Sequence, residues 1–363
     1  MVYKEVLRKL CNFTDKLQDE ESKRLFDARF MYFLNRNKEE FYEKLDRVLF
    51  SKSREYRSTL LEKYYVQNPQ NKEKEIVVFG GGENGKTTVR SLQFLGKRIN
   101  CICDNNKELH GTEYRGIPIH GFSYIEEECK DCVIIVAASQ KYQSDIWNQL
   151  MDGGFLESNI LMNHRGEIYC DIPGQYFDLP QLFEVKKEEY FVDAGCFNGG
   201  TSMQCASVLG NNLKKIYAFE PNEDNCITCD KQLASIGCAY ELYQAATWSA
   251  KAVLNFRANE LAADASKVVM GGEITVLGES IDSKLSGRIA TYIKLDVEGS
   301  ELETLKGAVN TIKQYRPRLA ISIYHKPEDI VLIPIFLEEL GMDYKYYLRH
   351  YQTRMQESVL YAI

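Results

Sequence analysis

Hydrophobic positions follow helical spacing at the start of the chain and then change to short apolar runs separated by helical stretches. In residues 1–72, apolar side chains recur every three or four positions between Lys, Glu and Arg, which predicts helices. These positions are Leu7, Leu10, Leu17, Phe26, Phe30, Phe33 and Leu34. From residue 73 onward, apolar runs followed by glycine turns and helical patterns predict parallel sheets with right-handed crossovers. The pattern therefore predicts an α/β protein with a helical N-terminal segment.

Residues 73–165 form the first of two series of strand, turn and helix. Its predicted strands are 75–79, 99–103 and 133–138, with a glycine turn and a helix after the first. Residues 166–185 contain Pro173, Gly174 and Pro180, and are typical of a linker.

Residues 186–363 form the second and longer series. About seven strands alternate with helices, and Tyr344–Leu348 and Ser358–Ile363 are predicted to close the domain as an antiparallel pair. The predicted fold is two Rossmann-like, doubly wound parallel sheets in tandem after the helical segment.

Composition and charge narrow the functional classes. The 363 residues include 45 Lys and Arg against 52 Asp and Glu, and the net charge of −7 disfavours nucleic acid as a partner. The longest suggestive apolar run, Val331–Leu337, is far below the 18 or so residues of a membrane span. The first nine residues lack a signal-peptide apolar region, so we expect a cytoplasmic protein. We expect its eleven cysteines to be reduced.

The first glycine turn allows three interpretations. Gly80, Gly82 and Gly85 match G-x-G-x-x-G between a strand and a helix, and Asp104 ends the next strand where a Rossmann unit places its ribose-binding acid. The same turn, followed by Lys86, matches a phosphate-binding Walker pattern, although no strand ending in a metal-binding Asp accompanies it. The third interpretation is a tight turn without a ligand.

This region resembles the small Rossmann-like module that precedes sugar acyltransferase domains in bacterial surface-glycan enzymes. The motifs are Val78-Phe-Gly-Gly-Gly82, Cys103-Asp-Asn-Asn106 and Tyr114-Arg-Gly-Ile-Pro-Ile119. The resemblance implies a nucleotide or nucleotide-sugar ligand. A nucleotide-sugar oxidoreductase or epimerase is an alternative, but Tyr142 has Ile146 four positions on, where the Tyr-x-x-x-Lys motif of that class needs lysine.

The second glycine turn combines with two later strand ends. Asp193, Gly195 and Gly199 form a turn in which backbone can approach a ligand closely, and Glu220 ends the following strand, where an acid can bind both hydroxyls of a ribose. This arrangement predicts a nucleoside-binding site.

Further acids follow the next long strand. Asp296 and Glu298 come directly after it, at the edge where parallel strands face the ligand crevice, and His325 follows another apolar strand. In an alternative interpretation, Glu298 favours only the N-terminus of the next helix, and His325 is structural.

Several motifs of this half resemble the FkbM family of S-adenosylmethionine-dependent methyltransferases. They are Phe191-Val-Asp-Ala-Gly195, Phe219-Glu-Pro-Asn222, Leu295-Asp-Val-Glu-Gly-Ser-Glu301, Leu305-Lys-Gly-Ala308, Arg316-Pro317 and Ile323-Tyr-His325. The resemblance implies a class I methyltransferase domain over residues 186–363 that methylates hydroxyls, often on sugars or natural products.

The same resemblance implies roles for individual residues. Asp193, Gly195 and Gly199 would hold the methionine end of S-adenosylmethionine, and Glu220 its ribose. Asp296, also assigned to the cofactor site, would lie near the transferring methyl with Glu298 and His325, and His325 is the candidate base.

The expected function is an S-adenosylmethionine-dependent O-methyltransferase for a sugar, glycan or natural product. A non-catalytic nucleotide-binding protein is a further alternative. We assign no metal ligands, although Asp296 with Glu298 could bind a divalent ion. A homodimer through the N-terminal helices is a further expectation.

Overall fold

The computed structural model describes residues 2–50, 58–163, 168, 170, 172–183, 188–257, 267–268 and 274–363. Contacts divide the chain into two compact units. The seven-stranded unit comprises Met1–Val48, Gly174–His350 and Gln356–Ile363, and the six-stranded unit comprises Leu49–Pro173 and Tyr351–Met355. This division differs from the predicted segments, because residues 1–48 cluster with the C-terminal domain and the predicted linker is divided after Pro173. Part of that linker, and the boundary at residue 186, lie outside the described residues.

The first three helices pack inside the seven-stranded unit. They are α1 (Val2–Asp15), α2 (Glu20–Asn35) and α3 (Lys38–Phe50). The side chain of Asp19 begins α2 by accepting a hydrogen bond from the backbone N–H of Ser22 at 2.8 Å. Phe13 and Leu25 are buried, and α1 and α2 contact the late elements Asp329–Leu340 and Tyr346–His350. Of the apolar positions that predicted these helices, Leu17 and Phe26 are buried, whereas Leu7 and Leu34 are exposed.

The six-stranded unit is a mainly parallel sheet flanked by helices. Its elements are α4 (Thr59–Gln67), β1 (Ile76–Phe79), α5 (Glu83–Phe94), β2 (Ile99–Cys103), β3 (Glu113–Tyr114), β4 (Ile117–His120), α6 (Phe122–Glu128), β5 (Val133–Val136), α7 (Gln140–Asp152) and β6 (Ile160–Met162). The strand order is β3-β4-β2-β1-β5-β6, with β3 antiparallel to β4. The three predicted strands are confirmed as β1, β2 and β5.

The seven-stranded unit continues with the second predicted series. Its elements are β7 (Glu189–Ala194), α8 (Gly200–Leu209), β8 (Leu213–Phe219), α9 (Glu223–Ile236), β9 (Ala239–Tyr243), β10 (Ala246–Thr247), β11 (Ala252–Arg257), β12 (Lys267–Val268), β13 (Ile274–Glu279), α10 (Ile281–Leu285), β14 (Tyr292–Leu295), α11 (Glu301–Lys306), α12 (Val309–Tyr315), β15 (Arg318–Ser322), α13 (Asp329–Leu340), β16 (Tyr346–His350) and β17 (Ser358–Ala362). The main sheet has the order β16-β17-β15-β14-β7-β8-β9, and β17 is antiparallel to both neighbours. The predicted α/β class, the seven strands and the antiparallel closing pair are confirmed.

A second, smaller sheet lies between β9 and β14 in the chain and was not predicted from the sequence. Strands β10, β13, β11 and β12 pair in that order, with β11 antiparallel to β13. Parts of this region, residues 258–266 and 269–273, lie outside the described residues.

The strand order creates a switch point in the main sheet. From β7 the chain moves outward through β8 and β9, and it later returns to the other side of β7 through β14 and β15. Parallel strands that diverge in this way leave a crevice at their carboxyl ends. Here those ends are Ala194, Phe219 and Leu295, which place the predicted site residues around one crevice.

In the part of the chain that the structure describes, no helix is both long and apolar enough to cross a membrane.

Candidate active site

A cavity of about 740 Å³ lies at the carboxyl ends of β7, β8 and β14. Its volume is in the range of small-molecule and cofactor sites. Its walls include Gly195, Glu220, Lys294, Asp296 and Glu298. Four of these five residues are sequence-predicted site residues that lie far apart along the chain.

The turn after β7 needs its glycines for two different reasons. Gly195 has φ +77°, and a Cβ there would lie 1.9 Å from the backbone carbonyl oxygen of Asp296. Gly199 has φ +89° and precedes α8, but a Cβ there would contact Cys229 rather than the cavity. The structure therefore places Gly195 at the cavity wall, whereas Gly199 shapes the turn that brings Gly200 to the wall.

Glu220 anchors the same turn. One carboxylate oxygen accepts the backbone N–H of Phe197 at 3.0 Å, and the other accepts the backbone N–H of Asn222 and the side-chain amide of Asn225. Burial raises the pKa of Glu220, and these hydrogen bonds oppose the rise. A carboxylate offers about four acceptor positions, so Glu220 retains capacity for a hydroxyl donor from a ligand.

Asp193, which the sequence predicted to hold the methionine end of the cofactor, is buried next to the cavity wall. Its oxygens contact Ser202 Oγ at 2.7 Å and Lys294 Nζ at 3.2 Å, and its side chain is fully buried. Lys294, which is only 2% exposed, also donates to the carbonyl oxygen of Gly195 at 2.7 Å and lines the cavity. Asp193 thus positions Lys294, and its predicted contact with the cofactor stays a prediction.

Asp296 is held by two tyrosines. Tyr176 donates to Oδ2 at 3.0 Å and Tyr324 donates to Oδ1 at 3.2 Å. Burial would raise the pKa of Asp296, but the positive charges of Lys294 and His325 lower it. Asp296 is therefore a fixed carboxylate that faces the cavity.

His325 lies between three carboxylates. Its Nδ1 is 2.8 Å from Glu301 Oε1, and its Nε2 is 3.4 Å from Glu298 Oε2 and 3.7 Å from Asp296 Oδ1. Burial would lower the pKa of His325, but the three acids raise it to about 9. In this state the ring holds a proton at neutral pH, which argues against the predicted role of His325 as a general base.

Glu357 is a site residue that the sequence did not reveal. It lines the cavity, accepts a hydrogen bond from Tyr324 at 3.2 Å and another from the side-chain amide of Gln175 at 2.6 Å. Burial, with the nearby charge of Asp296, raises the pKa of Glu357 to about 7. Its position before β17 follows no motif. Lys294 did offer a signal, because it is a charged residue inside an apolar strand.

Backbone strain is concentrated at this site. Nine non-glycine residues of the described chain have positive φ, and four of them surround the cavity or contact its acids. These four are Tyr176, Phe197, Glu298 and Glu357. Because such conformations cost about 1–3 kcal/mol each, their grouping indicates a functional site.

In the first glycine turn, the acid that was predicted to bind a ligand makes hydrogen bonds to nearby backbone instead. Asp104 accepts the backbone N–H of Gly81 at 2.6 Å and that of Asn106 at 2.7 Å. Gly80 has φ +123°, and a Cβ on Gly85 would overlap the carbonyl oxygen of Gly80, whereas Gly82 has open space around its Cα. These contacts agree with the tight-turn interpretation, and nucleotide binding at this turn stays a prediction.

Comparison with known families gives two matches. Residues 194–346 match the family model described as the methyltransferase FkbM domain, and residues 72–161 match the model described as C2185-like, N-terminal. No curated protein matches the chain. The predicted resemblance to sugar acyltransferase modules is not confirmed by these matches.

Solved structures similar to this chain include two methyltransferases and a dehydrogenase. The methyltransferase FkbM from Methylobacillus flagellatus KT is 17% identical, with a TM-score of 0.44, over 84% of this chain and 93% of that one. A SAM-dependent methyltransferase from Aquifex aeolicus is 16% identical, with a TM-score of 0.30, over 53% and 93%. The UDP-D-quinovosamine 4-dehydrogenase from Vibrio fischeri is 21% identical, with a TM-score of 0.22, over 25% and 77%. Within the second predicted series, residues 194–346 are therefore similar to a methyltransferase FkbM domain.

Proposed function

We propose that the protein transfers a methyl group from S-adenosylmethionine to a hydroxyl of a sugar, a glycan or a related small molecule. The observation that carries this proposal is the cavity at the switch point, where the close backbone approach at Gly195 and the acid Glu220 lie on one wall. The FkbM domain match over the same residues supports methyl transfer as the reaction.

The cavity residues fit this cofactor. Glu220 would bind the ribose hydroxyls, and Gly195 lets the backbone lie close to the ligand without a side chain between them. Lys294 would pair with the carboxylate of the methionine end, because it is a buried cation of the cavity wall. The N-terminus of α8 adds a positive partial charge nearby.

When bound, S-adenosylmethionine supplies an activated, electrophilic methyl group. The chain's own residues then have two tasks, to align the acceptor oxygen with that methyl and to accept the acceptor's proton. Alignment alone can contribute about 7–11 kcal/mol in well-oriented reactions. We assign proton acceptance to Glu357, because it lines the cavity and its carboxylate is held in place by Tyr324 and Gln175.

The polar character of the cavity supports a hydroxyl-rich acceptor. The acidic residues Asp296, Glu298 and Glu357 line it. Several fixed acceptors in one cavity match a ligand with several O–H donors, such as a sugar.

The sugar assignment is tested by incubating the full chain with methyl-labelled S-adenosylmethionine and a panel of free sugars, nucleotide sugars and lipid-linked sugars. Label in none of these acceptors, despite cofactor binding, would contradict the sugar assignment.

Replacing Glu220 by glutamine should weaken cofactor binding. The glutamine side chain lacks one acceptor oxygen and the charge that strengthens hydrogen bonds to ribose, so we expect a loss of about 10-fold or more in affinity for S-adenosylmethionine. Titration calorimetry measures this. Asp224→Asn, at an exposed position on α9, is the matched control. Equal affinities for the two variants would remove Glu220 from the cofactor site.

Replacing Glu357 by glutamine should slow methyl transfer without weakening cofactor binding. Loss of a general base typically lowers the rate by about 10²–10⁴-fold. The measurement compares kcat for an acceptor from the panel with the calorimetric Kd for S-adenosylmethionine. Glu339→Gln, on the outer surface of α13, serves as the control. A kcat close to that of the wild type would exclude Glu357 as the base.

A further inference from the structure

The acids around His325 form a cluster that methyl transfer alone does not explain. Asp296, Glu301 and His325 each offer a ligand atom, and these atoms lie within 4.8 Å of one another. Glu298 adds a third carboxylate at 3.4 Å from the ring. Glu301 is completely buried and lies 2.8 Å from Nδ1 of the ring.

Unsatisfied atoms inside the cluster give an independent indication of a ligand. The His325 side chain is 4% exposed, yet its Nε2 makes no hydrogen bond of good geometry with any described residue. Oε2 of Glu301 is also buried and without a hydrogen-bond partner there. Buried polar atoms are nearly always satisfied in native proteins, so atoms left unsatisfied around one point indicate a site for an ion or a water.

The distances around Nε2 suit a metal ion. Two ligands that are each about 2.1 Å from one ion are about 3.0–3.4 Å apart at octahedral or tetrahedral angles. Nε2 is 3.4 Å from Glu298 Oε2, which lies within this range, and 3.7 Å from Asp296 Oδ1, so only the Asp296 distance would have to shorten slightly.

The opposite side of the ring is arranged as in known metal sites. Histidine ligands usually contact a carboxylate or carbonyl with their second nitrogen, which orients the ring. Glu301 lies 2.8 Å from Nδ1 and is itself held by the backbone N–H groups of Val297 and Gly299. Tyr176 and Tyr324 hold Asp296 in the same way.

We propose that one divalent transition-metal ion takes the place of the proton on His325 Nε2 and is bound there together with Asp296 and Glu298 at the wall of the cavity, with Glu301 as the residue that positions the imidazole. One nitrogen and two carboxylates suit Mn²⁺, Fe²⁺ or Zn²⁺ better than Mg²⁺, which prefers oxygen ligands. Because Asp296 and Glu298 line the cavity, the ion would contact an acceptor bound in the cavity. There it would lower the pKa of a bound hydroxyl, a consequence that rests on the proposed methyl transfer.

Titration of the full chain with Mn²⁺, followed by the electron paramagnetic resonance signal of the free ion, tests the site. We expect one bound equivalent. Glu298→Gln and His325→Gln should each weaken Mn²⁺ binding by at least about 100-fold, and Glu301→Gln by about 10–100-fold. Glu303→Gln, on the same helix but paired with Lys306, should bind as the wild type does.

Two further readouts separate a metal site from a structural role. With Co²⁺ in place of Mn²⁺, the visible absorption spectrum of Glu298→Gln should differ from that of the wild type. Glu298 is partly exposed, so we expect this variant to fold. Absence of saturable Mn²⁺ binding, or wild-type affinity in Glu298→Gln, would overturn the proposal. Calorimetry with S-adenosylmethionine alone distinguishes the two proposals. Cofactor binding without Mn²⁺ binding would refute only the metal site. Mn²⁺ binding without cofactor binding would refute only the methyl-transfer site.

Discussion

Gly195→Ala should weaken cofactor binding by at least about 100-fold, whereas Gly237→Ala should leave the affinity for the cofactor nearly unchanged. The two glycines have almost the same backbone conformation, with φ +77° and +79°. An alanine at either position therefore meets the same conformational cost of about 1–2 kcal/mol. Only at Gly195 does the new Cβ meet other atoms, the carbonyl oxygen of Asp296 at 1.9 Å, while at Gly237 nothing lies within 4 Å.

The overlap at Gly195 cannot be relieved by a rotamer change, because the contacted atom belongs to the backbone of the strand end. The turn must move away from β14 and with it the cavity wall. We expect at least about a 100-fold loss of affinity for S-adenosylmethionine, which corresponds to about 2.7 kcal/mol. Calorimetry gives the affinity and urea unfolding gives the stability of both variants. If the two variants bound the cofactor equally well, Gly195 would be needed only for its φ.

Lys294→Met should destabilise the protein strongly, because it leaves Asp193 as an unpaired charge in the core. Lys294 and Asp193 are 2% and 0% exposed. Removing one partner of a buried ion pair costs about 3–5 kcal/mol in free energy of unfolding. A matched surface pair, Lys215 with Glu241, is partly exposed, and Lys215→Met should cost no more than about 1 kcal/mol.

The double variant Asp193→Asn with Lys294→Met tests whether the unpaired charge of Asp193 causes this loss of stability. It removes both charges and keeps a group that can still contact Ser202, so it should recover much of the lost stability in urea unfolding. Cofactor binding should stay weak, because the double variant still lacks the cation of the cavity wall. A double variant as unstable as Lys294→Met would show that packing, rather than the unpaired carboxylate, sets the cost.

The sequence was sufficient for the strands of the main sheet and for the ends of its central strands. Local periodicity predicted β7, β8 and β14, and the strand-end rule then placed Glu220 and Asp296 at one crevice. The sequence was insufficient for any residue whose role depends on which side chain or backbone group it contacts in the folded protein. Asp104 and Asp193 both end strands as a ligand-binding acid would, yet one holds its own loop and the other a lysine.

Glu357 shows the same limit from the other direction. It precedes the last strand and follows no glycine turn, so no local pattern marks it. It reaches the cavity because β17 inserts antiparallel between β15 and β16, a pairing that depends on contacts distant in sequence. Periodicity predicts that such a closing strand exists, but not which side chain before it will face the crevice.

The packing of α1 and α2 on late elements has a consequence for synthesis of the chain. Lys9 pairs with Glu339, 330 positions later, and Arg349 pairs with Asp19 over the same span. Helices made first must therefore wait, with Phe13 and Leu25 uncovered, until α13 and β16 have emerged from the ribosome. Uncovered apolar faces favour aggregation during that interval. We expect the nascent N-terminal segment to be a chaperone client, and the yield of soluble protein to depend on translation speed between residues 49 and 328.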